Sequence, residues 1–256
     1  MKSYEQILKL DGLEFIKQLL KFEQQRFDDC FFSSPKSVFE QINIEFGIFP
    51  NFNPYPVYFS GDITKPKDKM IFIGINPGFG KIGDQQREKE YLQTNGLFEG
   101  YRNIFSDYYK IHYPRPFSIF GNIKSFIIRY DKKVKNNEID WDWLQENIIL
   151  LEMIPYHSPN SAGLRINNLA RYINTYFRAT TKIIKYLNPK QPIFITGFPK
   201  FENYFQNDLF KKIISFDKVG SVYRGKINDK YDIIGLPFLK MPRVGLNQII
   251  KDIKKP

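Results

Sequence analysis

Four short apolar runs, each bounded by turn residues, constrain the fold of this chain more than any other feature. They lie at residues 70–75, 148–154, 192–196 and 231–236. Such runs are typical of buried β-strands. Segments with helical spacing lie between and after them, at residues 99–109, 117–130, 139–147, 166–187, 199–215 and 245–254. Because strands that alternate with helices form parallel sheets covered on both faces, we expect a three-layer α/β/α sandwich with a central four-stranded parallel sheet.

The composition fits one packed domain without metal chemistry. The chain has 256 residues, of which 42% are hydrophobic and 25% are charged, and these values exclude wholesale disorder. No repeat or linker divides it, so we predict a single domain over residues 1–256, with an N-terminal helical extension over about residues 1–48. The one cysteine, Cys30, excludes an intramolecular disulfide and a cysteine cluster, and the two histidines lie far apart. We therefore expect no metal and no other cofactor.

The charge balance and the lack of long apolar runs bear on the partners. A formal net charge of +11 and a pI of about 9.4 favour a polyanion such as DNA, although the positive charge is spread along the chain. No 18-residue apolar run occurs, and the N-terminal segment contains acidic residues and no secretory apolar stretch. We expect a soluble, cytoplasmic protein that does not contact a membrane. No sequence pattern encodes the oligomeric state, and we favour a monomer.

The loop after the first apolar run is the most specific local signal in the chain. In parallel α/β sheets ligands bind beyond the carboxyl ends of the strands, where this loop reads IFIGINPGFGK. A phosphate-binding P-loop would need a glycine where Ile75 stands and a hydroxyl residue where Ile82 follows Lys81. The nucleotide-hydrolase reading of this loop therefore fails at two positions.

The segment GINPG at residues 74–78 resembles the first active-site motif of the uracil-DNA glycosylase superfamily, especially its mismatch-specific and single-strand-selective branches. In layout the resemblance covers roughly residues 70–250. It implies a glycosylase that flips a damaged or modified pyrimidine out of DNA and hydrolyses its N-glycosidic bond, leaving an abasic site, in DNA repair or in antiviral defence. The alternative for the motif is a Gly/Pro turn that closes a strand. The chain would then be a non-catalytic nucleic-acid-binding protein with the same fold, or a nucleotide-binding α/β enzyme.

The chemistry of base excision suits the residues of this motif. Cleavage passes through an oxocarbenium-like C1′ that a water attacks from the face opposite the departing base. Asn76 can hold that water through its side-chain carbonyl, although an amide cannot act as a base. Gly74, Ile75, Pro77 and Gly78 would surround the base, because a Gly-Pro-Gly turn brings the backbone close to a ligand.

Glu152, in the second apolar run, is the candidate for reading the base. The resemblance implies a base-reading side chain at the end of this strand, most often an amide that pairs with uracil. An ionised carboxylate only accepts hydrogen bonds, so it would suit the exocyclic amine of cytosine and repel O4 of uracil. We therefore expect a cytosine-type or otherwise modified base, such as the modified cytosines of phage DNA. The alternative is a buried structural carboxylate paired with a lysine or arginine.

Three further side chains are candidates for contacting the base. His157 follows the second run and could donate to the leaving base or to a phosphate, so we count it with Asn76 as catalytic. Phe79 and Phe98 are candidates for stacking on the flipped base, the latter in a region that resembles the family's stacking segment. The alternatives are a packing role for His157 and core positions for both phenylalanines. His112 lies among proline and aromatic residues, and we expect a structural role for it.

The loop after the fourth run is the candidate for entering the DNA. The resemblance implies a loop that often begins His-Pro-Ser, whereas this chain has Met241, Pro242 and Arg243. Met241 or Arg243 could fill the space that the flipped base leaves, or the segment could be a plain surface loop. Four basic residues on or near strand-end loops are candidates for phosphate contacts, with solvated surface charge as the alternative: Lys81, Arg165, Lys200 and Lys240.

Overall fold

The computed structural model describes residues 3–33, 55–66, 68–74, 82–113, 119–155, 176–200, 202, 208–237 and 243–255. The strands in these ranges are β1 (Phe59–Ser60), β2 (Met70–Gly74), β3 (Ile148–Glu152), β4 (Ile193–Thr196), β5 (Ile214–Val219), β6 (Val222–Ile227) and β7 (Tyr231–Leu236). The α-helices are α1 (Tyr4–Ile7), α2 (Gly12–Ser33), α3 (Ile82–Asn95), α4 (Leu97–Asn103), α5 (Lys110–His112), α6 (Ile119–Tyr130), α7 (Trp141–Asn147), α8 (Arg178–Leu187), α9 (Asp208–Lys211) and α10 (Arg243–Lys254). A π-helix (Ile104–Tyr109) and a 3-10 turn (Phe198–Lys200) complete the set.

The strands form one mixed sheet in the order β1-β3-β2-β4-β7-β6-β5. Strands β2, β4 and β7 run parallel, whereas β6 is antiparallel to both β7 and β5. The α/β class is therefore confirmed, and each of the four apolar runs contains a strand. The prediction of a four-stranded parallel sheet is wrong, because the β5–β6 hairpin extends the sheet past β7 with antiparallel strands.

Most of the predicted helices appear, with one clear error. The segments 99–109, 117–130, 139–147 and 245–254 contain helical structure, and α8 covers the described end of the segment 166–187. Helices α1 and α2 lie in the predicted N-terminal extension, of which residues 34–48 lie outside the described residues. The predicted helix over 199–215 is only partly right, because α9 lies within it but its last two residues belong to β5. Among the described residues, no helix is long and apolar enough to cross a membrane.

The chain divides into two compact units by its internal contacts. The first comprises residues 1–64, 75–102 and 151–188, and the second comprises residues 65–74, 103–150 and 189–256. In the first unit, α2 buries an apolar face that includes Phe15 and Leu19. Helix α8 is tied to the start of α2 through Lys182, whose ammonium donates to the Asp11 carboxylate at 2.7 Å.

Buried tyrosines of the first unit are anchored by their hydroxyl groups. Tyr58 donates to Glu23 at 2.9 Å, and the Tyr101 hydroxyl donates to the backbone carbonyl of Tyr55 at 3.2 Å. A buried hydroxyl without a partner would cost free energy, so these bonds hold the segment before β1 in one position.

The second unit has an aromatic core around the central strands. Phe72 of β2 stacks on Phe194 of β4 with ring centroids 5.3 Å apart, and Phe126 of α6 meets both rings edge-on. All three side chains are fully buried. Aromatic contacts of this kind stabilise the pairing of β2 and β4 beyond simple area burial.

The β5–β6 hairpin is attached to α10 by polar contacts. Asp252 accepts hydrogen bonds from the backbone N–H and hydroxyl of Ser221 in the hairpin turn and from the Lys255 ammonium. The Lys255 bond, followed by the Ser221 bonds, holds the pKa of Asp252 well below its usual value. Arg224 of β6 donates to the last carbonyls of α10, including those of Asp252 and Ile253. These bonds satisfy a helix end that lacks partners of its own.

Two glycines permit close packing within this half of the sheet. A Cβ at Gly235 of β7 would lie 2.5 Å from the Phe198 ring, so the ring packs where a side chain would stand. A Cβ at Gly225 of β6 would collide with the backbone carbonyl of Ser215 on β5. The obstacle is a movable ring in the first case and paired backbone in the second.

Candidate functional site

Gly74, the one residue of the GINPG motif that the structure describes, ends strand β2 and is buried. Strand β2 lies between β3 and β4 in the sheet. At the end of β4, the Thr196 hydroxyl donates to the carbonyl of Ile73 at 3.2 Å. The carboxyl end of β2 is therefore fixed by its neighbour immediately before the motif continues.

Glu152 ends strand β3 and is buried, with 5% of its surface exposed. Its backbone N–H donates to the carbonyl of Tyr58 at 3.3 Å. Its own carbonyl accepts from the Thr180 hydroxyl of α8 at 3.4 Å. Bonds from two sides hold the backbone here, so the side chain is kept inside the protein rather than free to turn outward.

The carboxyl group of Glu152 lacks the partners that a buried charge needs. Its Oε2 atom is buried and has no hydrogen-bond partner, and no ion pair to Glu152 occurs in the described part of the chain. Burial, with no compensating charge, raises its pKa from 4.5 to about 8. The group is therefore mostly protonated at pH 7. The sequence interpretation treated Glu152 as an ionised carboxylate, whereas burial disfavours the charged form. The alternative of pairing with a lysine or arginine finds no partner among the described residues.

Glu23 shows how the same unit treats a second buried carboxyl group. It is completely buried, accepts from the Tyr58 hydroxyl and lies 3.7 Å from the Arg26 guanidinium. Both contacts compensate the loss of water around the carboxylate. Among the described residues Glu152 has no such compensation, and this contrast distinguishes the two buried carboxyl groups.

Phe98, the described candidate for base stacking, lies half-buried near the start of α4. Its ring meets Phe59 edge-on with centroids 6.0 Å apart, and the Lys17 ammonium lies 5.1 Å from its centroid. These contacts explain the position of the ring within the protein. The stacking role stays a prediction.

The other predicted site residues are described only in part or not at all. For Lys200 and Arg243 the backbone alone is described: Lys200 ends the 3-10 turn and Arg243 begins α10. His112, which we expected to be structural, lies 4.7 Å from the Tyr108 ring by centroid distance. The remaining candidates lie outside the described residues: Ile75, Asn76, Pro77, Gly78, Phe79, Lys81, His157, Arg165, Lys240, Met241 and Pro242.

The basic residues are concentrated in a region that the sequence interpretation did not single out. Residues 211–255 contain 11 Lys and Arg and only 4 Asp, so this region holds most of the net charge of +11. Lys218 on β5 and Lys251 on α10 are exposed. This excess of basic residues is visible in the sequence, but it emerges only when charges are counted over a long segment rather than over short dense runs.

No group of three or more His, Cys, Asp or Glu side chains that could hold a metal ion occurs among the described residues. No family model, curated protein or solved structure matches the chain. The resemblance to the uracil-DNA glycosylase superfamily therefore stays a sequence-based expectation, carried mainly by residues 74–78. What the site does has to follow from its own chemistry, and the Glu152 carboxyl group is its best-defined element.

Proposed function

We propose that the protein is a DNA glycosylase that flips a modified or damaged pyrimidine and hydrolyses its N-glycosidic bond, leaving an abasic site. The observation that carries the proposal is the buried, unpartnered carboxyl group of Glu152 at the end of β3. Strand β3 lies next to β2 in the sheet, and β2 ends at the first residue of the GINPG motif.

A buried oxygen atom without a hydrogen bond destabilises the folded protein. Leaving a buried polar group without a hydrogen bond costs about 1–3 kcal/mol. A buried polar group without a partner calls for an explanation, and a ligand that supplies the missing bond is one such explanation. Glu152 is also the last residue of β3, at the carboxyl end of the strand, beyond which ligands bind in α/β sheets. A bound base with hydrogen-bonding groups on its edge would supply the hydrogen bond that the Glu152 carboxyl group lacks.

The reaction needs a held water and a stabilised leaving group. In our proposal Asn76 orients a water toward C1′, the water oxygen bonds to C1′, and the C1′–N bond breaks with its electron pair going to the base. The water gives up its proton to solvent, and backbone N–H groups of the Gly-rich loop stabilise the departing base as an anion. Each step uses groups of residues 74–78, a water and the substrate.

The charge of the chain supports DNA as the substrate. A net charge of +11 attracts phosphates, and residues 211–255 carry most of it. Flipping a base costs a few kcal/mol of stacking and pairing energy, which phosphate contacts and stacking on aromatic side chains can offset.

The test is an excision assay on labelled oligonucleotides that carry uracil, cytosine, or methylated, hydroxymethylated or glucosylated cytosine, followed by alkaline cleavage at abasic sites. We expect strand scission for at least one base with the wild-type protein. Asn76→Ala should abolish scission and leave DNA affinity nearly unchanged, because the side chain positions water rather than DNA. Asn95→Ala is the matched control, since Asn95 is an exposed asparagine at the end of α3.

Two results would contradict the proposal in different ways. Intact strands for every base, together with tight and salt-sensitive DNA binding, would identify a non-catalytic nucleic-acid-binding protein. Tight binding of free nucleotides with little salt-dependent DNA affinity would identify a nucleotide-binding enzyme. Scission that survives Asn76→Ala would refute the assigned role of the motif.

A further inference from the structure

We propose that Glu152 recognises the flipped base as a neutral carboxylic acid, donating one hydrogen bond through its O–H and accepting another through its C=O. The inference rests on the proposed function and names the edge of the base that this site reads. It differs from recognition by a carboxylate, which only accepts.

The surroundings of Glu152 favour the neutral form. The segment before β1 contacts it through the backbone of Tyr58, whose hydroxyl is turned to Glu23. Helix α8 contacts it through Thr180. The charged side chains of α8 are engaged or solvated: Lys182 binds Asp11, and Arg178 and Lys185 are exposed.

Among the described residues, therefore, no charged group compensates for the burial of the Glu152 carboxyl group. Desolvation is the one cause of the shift that raises its pKa to about 8. A neutral carboxyl group then presents a donor and an acceptor side by side at the end of β3, at a depth where water contributes little.

This arrangement matches the pairing edge of two kinds of pyrimidine. Uracil presents its N3–H donor beside the O4 acceptor, and cytosine presents its N3 acceptor beside the N4 amine donor. A carboxylic acid fits either order, because its proton can reside on either oxygen. A carboxylate would meet a repelling lone pair on O4 of uracil or on N3 of cytosine. The substrate class is thus pyrimidines with a free N3–C4 edge, with uracil-type bases included, and substituents at C5 lie off this edge.

The experiment compares single-turnover excision by the full chain and two variants. Glu152→Gln keeps a donor and an acceptor but cannot ionise, and Glu152→Met keeps the approximate size without either group. The substrates are oligonucleotides with uracil, 3-methyluracil, cytosine and 5-hydroxymethylcytosine, at pH 6.5 and pH 9.

We expect the wild-type protein at pH 6.5 to excise uracil and at least one cytosine-type base, and to reject 3-methyluracil, whose pairing edge is blocked. Its rate should fall about tenfold by pH 9, because one pH unit above the pKa leaves about a tenth of the group protonated. Glu152→Gln should be active without that fall, and Glu152→Met should lose activity at least about a hundredfold on all bases.

Three results would overturn the inference: excision restricted to cytosine-type bases at pH 6.5, the same alkaline fall in Glu152→Gln, or full activity in Glu152→Met. A second measurement separates this inference from the proposed function. Carbon-13 NMR of glutamate-labelled protein follows the Glu152 carboxyl carbon, assigned by its absence in Glu152→Gln, during titration with free uracil and free cytosine.

If no oligonucleotide is cleaved but both free bases shift the Glu152 signal, hydrolysis is refuted and the recognition stands. If no oligonucleotide is cleaved and neither base shifts the signal, the recognition is refuted as well. A Glu152 signal that titrates near the ordinary value of 4.5 refutes the neutral form directly.

Discussion

Replacing Glu152 by glutamine should make the folded protein more stable relative to the wild type as the pH rises. The wild-type carboxyl group ionises above 4.5 in the unfolded chain, but in the folded protein burial keeps it protonated up to about 8. Between these values the folded state binds more protons than the unfolded state. The free energy of unfolding therefore falls with rising pH, and the contribution present below pH 4.5 is lost by about pH 8. Glutamine has the same shape and no charge to lose.

The size of the effect follows from the width of this window. One pH unit corresponds to about 1.4 kcal/mol, so the whole window from 4.5 to about 8 amounts to about 5 kcal/mol. At pH 7 the wild type should have lost about 3 kcal/mol of that contribution. Glutamate and glutamine at this position both leave a polar atom without a partner among the described residues. The difference in unfolding free energy between wild type and variant therefore reports the ionisation of Glu152.

The measurement must report on the unit that contains Glu152. Hydrogen exchange of peptides from α2 and α8, read by mass spectrometry between pH 5 and pH 8, gives the opening free energy of that unit. Peptides from α10 lie in the other unit and serve as an internal reference. The matched control is Glu90→Gln, the same chemical change at an exposed position of α3, and its profile should parallel that of the wild type.

Parallel profiles for the wild type and Glu152→Gln across this pH range would refute the reasoning, because they would mean that Glu152 ionises alike in the folded and unfolded chains. A profile in which the wild type gains stability with pH relative to Glu152→Gln would also refute it. That result would indicate a cationic partner for the carboxylate.

Two further predictions concern the packing of the sheet. Gly235→Ala should lower the free energy of unfolding by about 1–3 kcal/mol, because the Phe198 ring must move, and adding Phe198→Leu should recover part of the loss. Gly225→Ala should lower the free energy of unfolding by more, since the obstacle there is strand backbone. Urea titration of both variants measures the two losses, and an equal loss for both glycines would contradict this. Asp252→Asn should destabilise the protein at pH 7, where the lysine ammonium and the serine donors favour the carboxylate. That difference should shrink as the pH falls below 3.8, where the carboxylate of the unfolded chain takes up a proton, and be lost only below the lower pKa of the folded protein; a difference independent of pH would argue against the assigned charge.

The central strands could be predicted because their signal is local. Each of β2, β3, β4 and β7 is a short apolar run, since a strand in the middle of a sheet is buried on both faces. The ends of these strands indicated where candidate site residues would lie, and the resemblance to the glycosylase superfamily singled out Glu152 at the end of β3.

The β5–β6 hairpin could not be predicted in the same way. Strand β5 is the edge of the sheet, and exposed residues alternate with partly buried ones along it, so no apolar run marks it. Its conformation depends on pairing with β6, where Gly225 permits the close approach, and on the bonds from Ser221 to Asp252. Of these partners, Asp252 lies 31 residues from Ser221, and the helical spacing over residues 199–215 contains no sign of it.

The sequence by itself determined which chemical groups this protein has and roughly where they stand along the chain: an amide in a Gly/Pro turn, a carboxyl at a strand end and an excess of positive charge. It could not determine the state of the carboxyl group. Whether Glu152 is charged depends on how much water and which charges surround it, and the segments that contact its backbone, Tyr58 before β1 and Thr180 of α8, come from distant parts of the chain. Burial without a compensating charge raises the pKa of this carboxyl group, and that shift is a property of the tertiary structure alone.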